Sequence, residues 1–249
     1  MNIPRLRMFA GPNGSGKSTL NSIISKELLG VYINPDEIEK EINKFGFLDM
    51  LNYNVESNQK EVVSFFENHP LIDKTDLSDE LSLLSYFDNK IDFFNMSINS
   101  YYASICADFI RHKLLKSKVS FTFETVMSSK DKVDFLKKAQ EAGYRTYLYF
   151  IATQDPIVNI SRVRNRVKLG GHSVPEDKIV SRYYRSLELL LQAVKYSTRA
   201  YIFDNSGQEK LWIAQINNAR EFEFKSETIP EWVDKCLFKT KDAVEQFKL

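Results

Sequence analysis

Cysteine is scarce in this chain: Cys106 and Cys236 are the only two in 249 residues. They lie far apart and outside any metal-ligand spacing, which argues against a disulfide framework or a zinc site and predicts two ordinary reduced core thiols. Charge of one sign is lacking as well. The 34 Lys and Arg nearly cancel 33 Asp and Glu, leaving a formal +1, so no global field draws the chain to nucleic acid or an anionic membrane. No apolar run approaches the roughly 20 residues that span a bilayer. A polar loop begins at residue 11 and leaves no room before it for a signal-peptide apolar region. A cytoplasmic protein with no membrane or nucleic-acid partner is therefore expected. No internal repeat or low-complexity tract appears, and 43% hydrophobic residues in a chain of this length suffice for one substantial core.

Glycine is sparse too, at nine residues, so its placement carries information. Five of the nine fall in two loops: Gly11, Gly14 and Gly16 in the first, Gly170 and Gly171 in the second. The first reads Gly11-Pro12-Asn13-Gly14-Ser15-Gly16-Lys17-Ser18-Thr19, which satisfies the phosphate-loop pattern G-x-x-x-x-G-K-[ST]. Leu6 to Ala10 before it reads as a short buried strand, and Leu20 to Leu29 after it as a helix. In such a loop, glycines let successive backbone N–H groups converge on phosphate oxygens at a helix N-terminus. Lys17 is then expected to reach the β and γ phosphates of ATP, and Ser18 to offer its hydroxyl to Mg²⁺, with Thr19 packing or bonding one position on. The alternative, a glycine turn capping a helix, leaves Lys17-Ser18 unexplained.

Val31 to Ile33 forms a second strand ended by Asn34-Pro35-Asp36-Glu37. Asn34 fits an N-cap, Pro35 the first helical position, and Glu37 a capping box. If this strand neighbours the first in a parallel sheet, Asp36 faces the phosphate-loop crevice. It is then either a carboxylate that deprotonates an acceptor hydroxyl or reaches Mg²⁺ through water, or an acid complementing a helix dipole. Further on, helices are expected over residues 97–116, 130–142, about 156–169 and 176–196, with strands at 119–123, 147–151 and 200–203. The tail reads as a terminal hairpin or edge strands at 211–216 and 222–224 and a closing helix at 232–247. Alternating strands and helices make a doubly wound, mainly parallel α/β sheet with helices on both faces the expected fold of a single domain over 1–249. Residues 51–96 break the rhythm. They carry nine acids against three lysines and are expected to be a mostly helical insertion, serving either acceptor selection and packing or mere solvated elaboration.

Between Arg162 and Arg185 seven basic residues face two acids. Arg162 and Arg166 are four apart and share a helix face, while Arg164 points away. With Gly170-Gly171-His172-Ser173-Val174-Pro175 as a mobile turn, the segment of about 162–185 fits a lid whose arginines clamp a transferring phosphoryl group; a solvated basic face is the alternative. Aromatic residues are not interleaved as stacking platforms, which disfavours a nucleic-acid groove.

Ala10 to Thr19, Asn34-Pro35-Asp36, Phe123-Glu124-Thr125, Arg162 to Val167, Gly170 to Pro175, Arg182-Tyr183 and Asp204-Asn205-Ser206, in that order, together resemble the zeta toxin family of P-loop kinases. The likeness covers about residues 5–207, apart from 51–96. It implies an α/β sandwich of the P-loop nucleotide-kinase type, and ATP-dependent phosphorylation of a UDP-N-acetylhexosamine at the 3′-hydroxyl of the amino sugar, with Asp36 as catalytic base. Glu124 and Thr125 match the family's glutamate–glycine–threonine site and would contact the sugar nucleotide together with Arg182. Toxic members commonly carry an arginine where this chain has Gly171-His172, so Arg162, Arg166 or Arg182 would supply that charge. His172 either donates to a phosphate or is solvated, and Asn205 either lines the adenine or forms a turn with its neighbours. A cognate antitoxin covering the nucleotide crevice is a candidate partner. The alternatives are a kinase for another small metabolite, of the sugar-acid or nucleoside type, and an ATP-binding regulatory module without transfer. A polynucleotide kinase conflicts with the near-zero charge.

Overall fold

The computed structural model describes residues 3–22, 24–73 and 79–239. In chain order its elements are β1 (Arg5–Ala10), a 3₁₀ turn (Lys17–Ser22), α1 (Lys26–Leu29), β2 (Val31–Ile33), α2 (Pro35–Phe45), β3 (Phe47–Asp49), a 3₁₀ turn (Met50–Tyr53), α3 (Gln59–Glu67), α4 (Pro70–Asp73), a 3₁₀ turn (Asp79–Leu83), β4 (Ser85–Phe87) and β5 (Lys90–Asp92). They continue as α5 (Ser100–Ser117), β6 (Phe121–Thr125), α6 (Lys130–Glu141), β7 (Arg145–Ala152), α7 (Pro156–Lys168), α8 (Glu176–Glu188), α9 (Leu190–Lys195), β8 (Arg199–Asp204), β9 (Leu211–Asn217), β10 (Glu221–Phe224) and α10 (Glu231–Leu237). Among the described residues no helix is long and apolar enough to cross a membrane. Two compact units result, Met1–Leu29 with Thr122–Leu249, and Gly30–Phe121.

The fold is mixed α/β with a mostly parallel main sheet of seven strands. Six of the seven run through the first unit in the order β10-β9-β8-β7-β1-β6. β1 and β7 pair in parallel with Leu6 opposite Thr146 and Ala10 opposite Phe150, and β7 continues in parallel onto β8. Central parallel strands must be apolar on both faces: Met8, Phe9 and Ala10 on β1 and Phe150, Ile151 and Ala152 on β7 are all buried completely. The last two strands add antiparallel, as the expected terminal hairpin. Closing this edge, α10 buries Trp232, whose ring stands 6.0 Å from Phe150 and whose indole N–H donates to Asp204 Oδ2 at 2.7 Å. The helix ends at Leu237 with Phe238 as its C-cap, short of the expected 232–247, and residues 240–247 of that expectation lie outside the described residues.

β1 has β7 on one side and β6 on the other, so β2 is not its neighbour. The helix expected from Leu20 to Leu29 is also replaced, by the 3₁₀ turn and the four-residue α1. Ser18, Thr19 and Asn21 cluster at its start, and such side chains compete for backbone hydrogen bonds that a regular helix needs, as Thr19 Oγ1 does in donating to the Gly16 carbonyl. The long helix expected over 176–196 is divided at Leu189 into α8 and α9.

In the second unit, Asn34 caps α2 by accepting from the Asp36 N–H at 2.9 Å, with Pro35 at the first helical position. The Glu37 carboxylate pairs with Lys40 at 2.8 Å, so the expected reciprocal capping box gives way to an i,i+3 ion pair. Among the described residues of 51–96, α3, α4 and two 3₁₀ turns make up about half, and strands interrupt them. β4 and β5 form a hairpin, extended by β3 into a three-stranded antiparallel sheet of order β3-β5-β4. Its turn residues Asp88 and Asn89 have φ +48° and +55°, the left-handed pair that a tight hairpin requires and that Asp and Asn tolerate. Phe66, Phe93 and Tyr102 follow one another at ring separations of 6.2 and 6.1 Å in this unit's core, and the buried Asp108 pairs with Arg111 and with His69 at 3.1 Å.

Candidate active site

The phosphate loop joins β1 to its 3₁₀ turn, and its glycines are required by close approach as much as by backbone conformation. A Cβ on Gly11 would lie 2.0 Å from the Ile151 carbonyl oxygen, and one on Gly14 2.6 Å from that of Asn159. Lys17 folds back over the loop, its ammonium donating to the carbonyls of Gly11 at 2.9 Å and Pro12 at 3.0 Å. Ser15 Oγ is buried and has no hydrogen-bond partner among the described residues. Buried hydroxyls are rarely left so, and an anion in the loop would supply an acceptor, so the loop fits a phosphate group.

Beside the loop, Ser18 Oγ donates to Glu124 Oε2 at 3.2 Å. Glu124 stands at the C-terminal end of β6 and is buried. A hydroxyl and a carboxylate side by side are the hard oxygen donors that Mg²⁺ prefers. Glu124 was expected at the sugar nucleotide; its contact with Ser18 spans 106 residues of sequence, and no local pattern announces it. Thr125 uses its Oγ1 to accept from the Met127 N–H at 3.1 Å, in a turn where Met127 takes φ +53°.

Asn205 follows β8 and donates from Nδ2 to the Ser15 carbonyl at 2.8 Å. Lys210, absent from the sequence reading, reaches Thr19 at both its Oγ1 (3.2 Å) and its carbonyl (3.3 Å), and partial burial lowers its pKa. Thr19 Oγ1 in turn donates to the Gly16 carbonyl at 2.8 Å. The structure thus brings Lys17, Ser18, Glu124 and Asn205 together within the first unit, while Asp36 belongs to the second, exposed in the first turn of α2.

The sequence model of the family described as "Zeta toxin" matches residues 98–217. Over that span the chain is similar to the zeta toxin family. An uncharacterized protein of Haemophilus influenzae is 25% identical over 175 residues, covering 70% of this chain and 89% of that one. Among solved structures, the AvrRxo1-ORF1:AvrRxo1-ORF2 complex with sulphate ions aligns with a TM-score of 0.52 at 15% identity, covering 98% of this chain and 70% of that chain. The same pair solved with ATP gives 0.52 at 14% identity over 90% and 61%. The PezAT chromosomal toxin-antitoxin system of Streptococcus pneumoniae gives 0.51 at 15% identity over 99% and 84%. At these identities the structural likeness speaks for the fold.

The matched span holds Glu124, the basic segment and Asn205, while the phosphate loop precedes it. On α7, Arg162 and Arg166 are both half-buried, and Arg164 points out to pair with Glu176, as their spacing predicts. The Arg162 guanidinium donates to the Gly207 carbonyl at 3.3 Å and that of Arg166 to the His172 carbonyl at 3.0 Å. Arg182 is half-buried on α8, and His172 is exposed. Gly170 closes α7 with φ +84°, the left-handed position that favours glycine. Gly171 packs on Arg166 itself: a Cβ there would lie 2.6 Å from Arg166 Cγ and 2.9 Å from its carbonyl. Gly171→Ala is therefore expected to displace Arg166 and lower phosphoryl-transfer turnover several-fold while the melting temperature stays within a few degrees. Steady-state kinetics beside a thermal melt checks this, and unchanged turnover would show that Arg166 is not needed where it stands.

Proposed function

We propose that the chain is an ATP-dependent kinase that transfers the γ-phosphate to a hydroxyl of a UDP-N-acetylhexosamine, working as one kinase domain over 1–249. The observation that carries the reading is the joining of Lys17, Ser18 and Glu124 around the phosphate loop, in a chain similar to the zeta toxin family over residues 98–217. Residues Gly11 to Thr19 hold the phosphates, and Lys17 exchanges its two carbonyl partners for the β and γ phosphate oxygens. Ser18 and Glu124 are the residues that would hold Mg²⁺, which when bound neutralises charge on the phosphates. Arg162 and Arg166 bring positive charge toward the group in transfer, where little covalent chemistry is asked of the protein and positioning and charge do most of the catalysis.

Asp36 takes the proton from the acceptor hydroxyl. Glu124, Thr125 and Arg182 were assigned by resemblance to the sugar nucleotide; Thr125 and Arg182 keep that assignment, and Glu124 moves to the metal. Asn205 is assigned to the ATP site. An antitoxin is the proposed protein partner, in keeping with the toxin-antitoxin system named for the Streptococcus pneumoniae neighbour.

Glu124→Gln removes the charge and keeps the shape. Its expected effect is a Mg²⁺ requirement raised by about 10- to 100-fold, read from turnover against Mg²⁺ at fixed ATP, and an unchanged Mg²⁺ curve would return Glu124 to the acceptor. The reading as a whole is tested by ADP release. UDP-N-acetylglucosamine is expected to stimulate it strongly and gluconate not at all; ATP hydrolysis indifferent to every acceptor would overturn it.

A further inference from the structure

The phosphate loop is held from behind by two asparagine side chains. Asn159, in the first turns of α7, is completely buried; its Oδ1 accepts from the Thr153 hydroxyl, and its Nδ2 donates to the Asn13 carbonyl at 2.5 Å. Asn205 has its backbone N–H fixed on the Ala152 carbonyl at 2.8 Å and its Nδ2 on the Ser15 carbonyl at 2.8 Å. The two carbonyls are alternate ones in the loop, and each shares a peptide unit with the N–H of the glycine that follows. Peptide bonds among the described residues are trans, and in a trans peptide the C=O and N–H point in opposite directions. Pinning the Asn13 oxygen toward Asn159 therefore turns the Gly14 N–H away from it, and pinning the Ser15 oxygen toward Asn205 does the same for the Gly16 N–H.

The glycines and the clamps are one arrangement. A Cβ on Gly14 would collide with the Asn159 backbone, and one on Gly16 would lie 2.5 Å from Asn205 Nδ2. We propose that Asn159 and Asn205 are positioning residues that aim the Gly14 and Gly16 amides at the phosphates, by holding the two loop carbonyls on the opposite side. Without those donors the carbonyls can rotate toward the anion, where their oxygens repel it. Asn159 also sits on the helix that carries Arg162 and Arg166, so loop and arginines are registered to one rigid element. The assignment rests on reading the loop as the nucleotide site, and it replaces adenine contact as the work of Asn205.

The test titrates ADP, and separately inorganic pyrophosphate, into wild type, Asn159→Ala and Asn205→Ala, with the melting temperature of each ligand-free protein measured beside them. Both ligands are expected to bind about 10- to 100-fold more weakly to the variants, with the ligand-free melting temperature of Asn205→Ala unchanged. If Asn159→Ala does not fold, Asn205→Ala decides alone. Unchanged ADP affinity in Asn205→Ala would overturn the proposal, as would ADP weakened with pyrophosphate unaffected, the mark of a residue that touches adenine. A wild type that binds neither ligand would instead overturn the nucleotide-site reading beneath it.

Discussion

Lys17→Ala is expected to lower phosphoryl-transfer turnover by about 10³-fold or more, on the scale seen when a preorganised group stabilising transition-state charge is removed. Its ammonium already lies over the loop, on the carbonyls of Gly11 and Pro12, so it needs only to exchange acceptors when a triphosphate arrives. The fold is expected to survive. The two abandoned carbonyls lose donors worth about 1 kcal/mol each, and the strand and glycines that set the loop do not depend on the lysine side chain. The measurement is single-turnover transfer to UDP-N-acetylglucosamine with a thermal melt as control. Turnover within about tenfold of wild type would remove Lys17 from the catalytic machinery, since one charge-assisted contact to a transferring phosphate is worth more than that.

Asp36→Asn is expected to cut turnover by about 10²- to 10⁴-fold, the range for losing a general base, while ATP binds as before. The substitution is mild for the fold. Asp36 is exposed, its backbone N–H rather than its carboxylate makes the cap bond to Asn34, and losing one acid from a helix's first turn costs about 0.3 to 1 kcal/mol. ATP affinity by calorimetry and kcat with the sugar nucleotide separate the two effects. Full activity in Asp36→Asn would leave the carboxylate as no more than a complement to the α2 dipole.

The parts of this molecule that could be read from the sequence are those whose cause is local. The phosphate loop is written in nine consecutive residues; Asn34-Pro35 announces the start of α2, and the apolar run at 147–151 announces a central strand, because caps and buried strands are set by neighbours along the chain. Competing local preferences misled in two places. Residues 20–29 have helical apolar spacing, but hydroxyl and amide side chains break the helix after the loop. In residues 51–96 the left-handed pair Asp88-Asn89 makes a hairpin within what otherwise suggests helix.

Long-range partners were illegible. Glu124 meets Ser18, Asn159 meets Asn13, and Lys210 meets Thr19 across 106, 146 and 191 positions. Glu124 and Asn205 were singled out through resemblance and position, yet the atoms they touch could not be. No spacing in the chain records a contact made by strand order, and each of these three contacts is set by where β1, β6, β7 and β8 lie in the sheet.

The central claim, transfer of a phosphoryl group from ATP to an aminosugar nucleotide, is tested most directly by product mass. The purified chain is incubated with Mg·ATP and, in separate reactions, UDP-N-acetylglucosamine, UDP-glucose, gluconate and a short oligonucleotide. The expected result is a phosphate-sized mass gain on UDP-N-acetylglucosamine alone, absent with Lys17→Ala. A gain on gluconate or the oligonucleotide instead, or no gain on any acceptor while ATP remains bound, would contradict it.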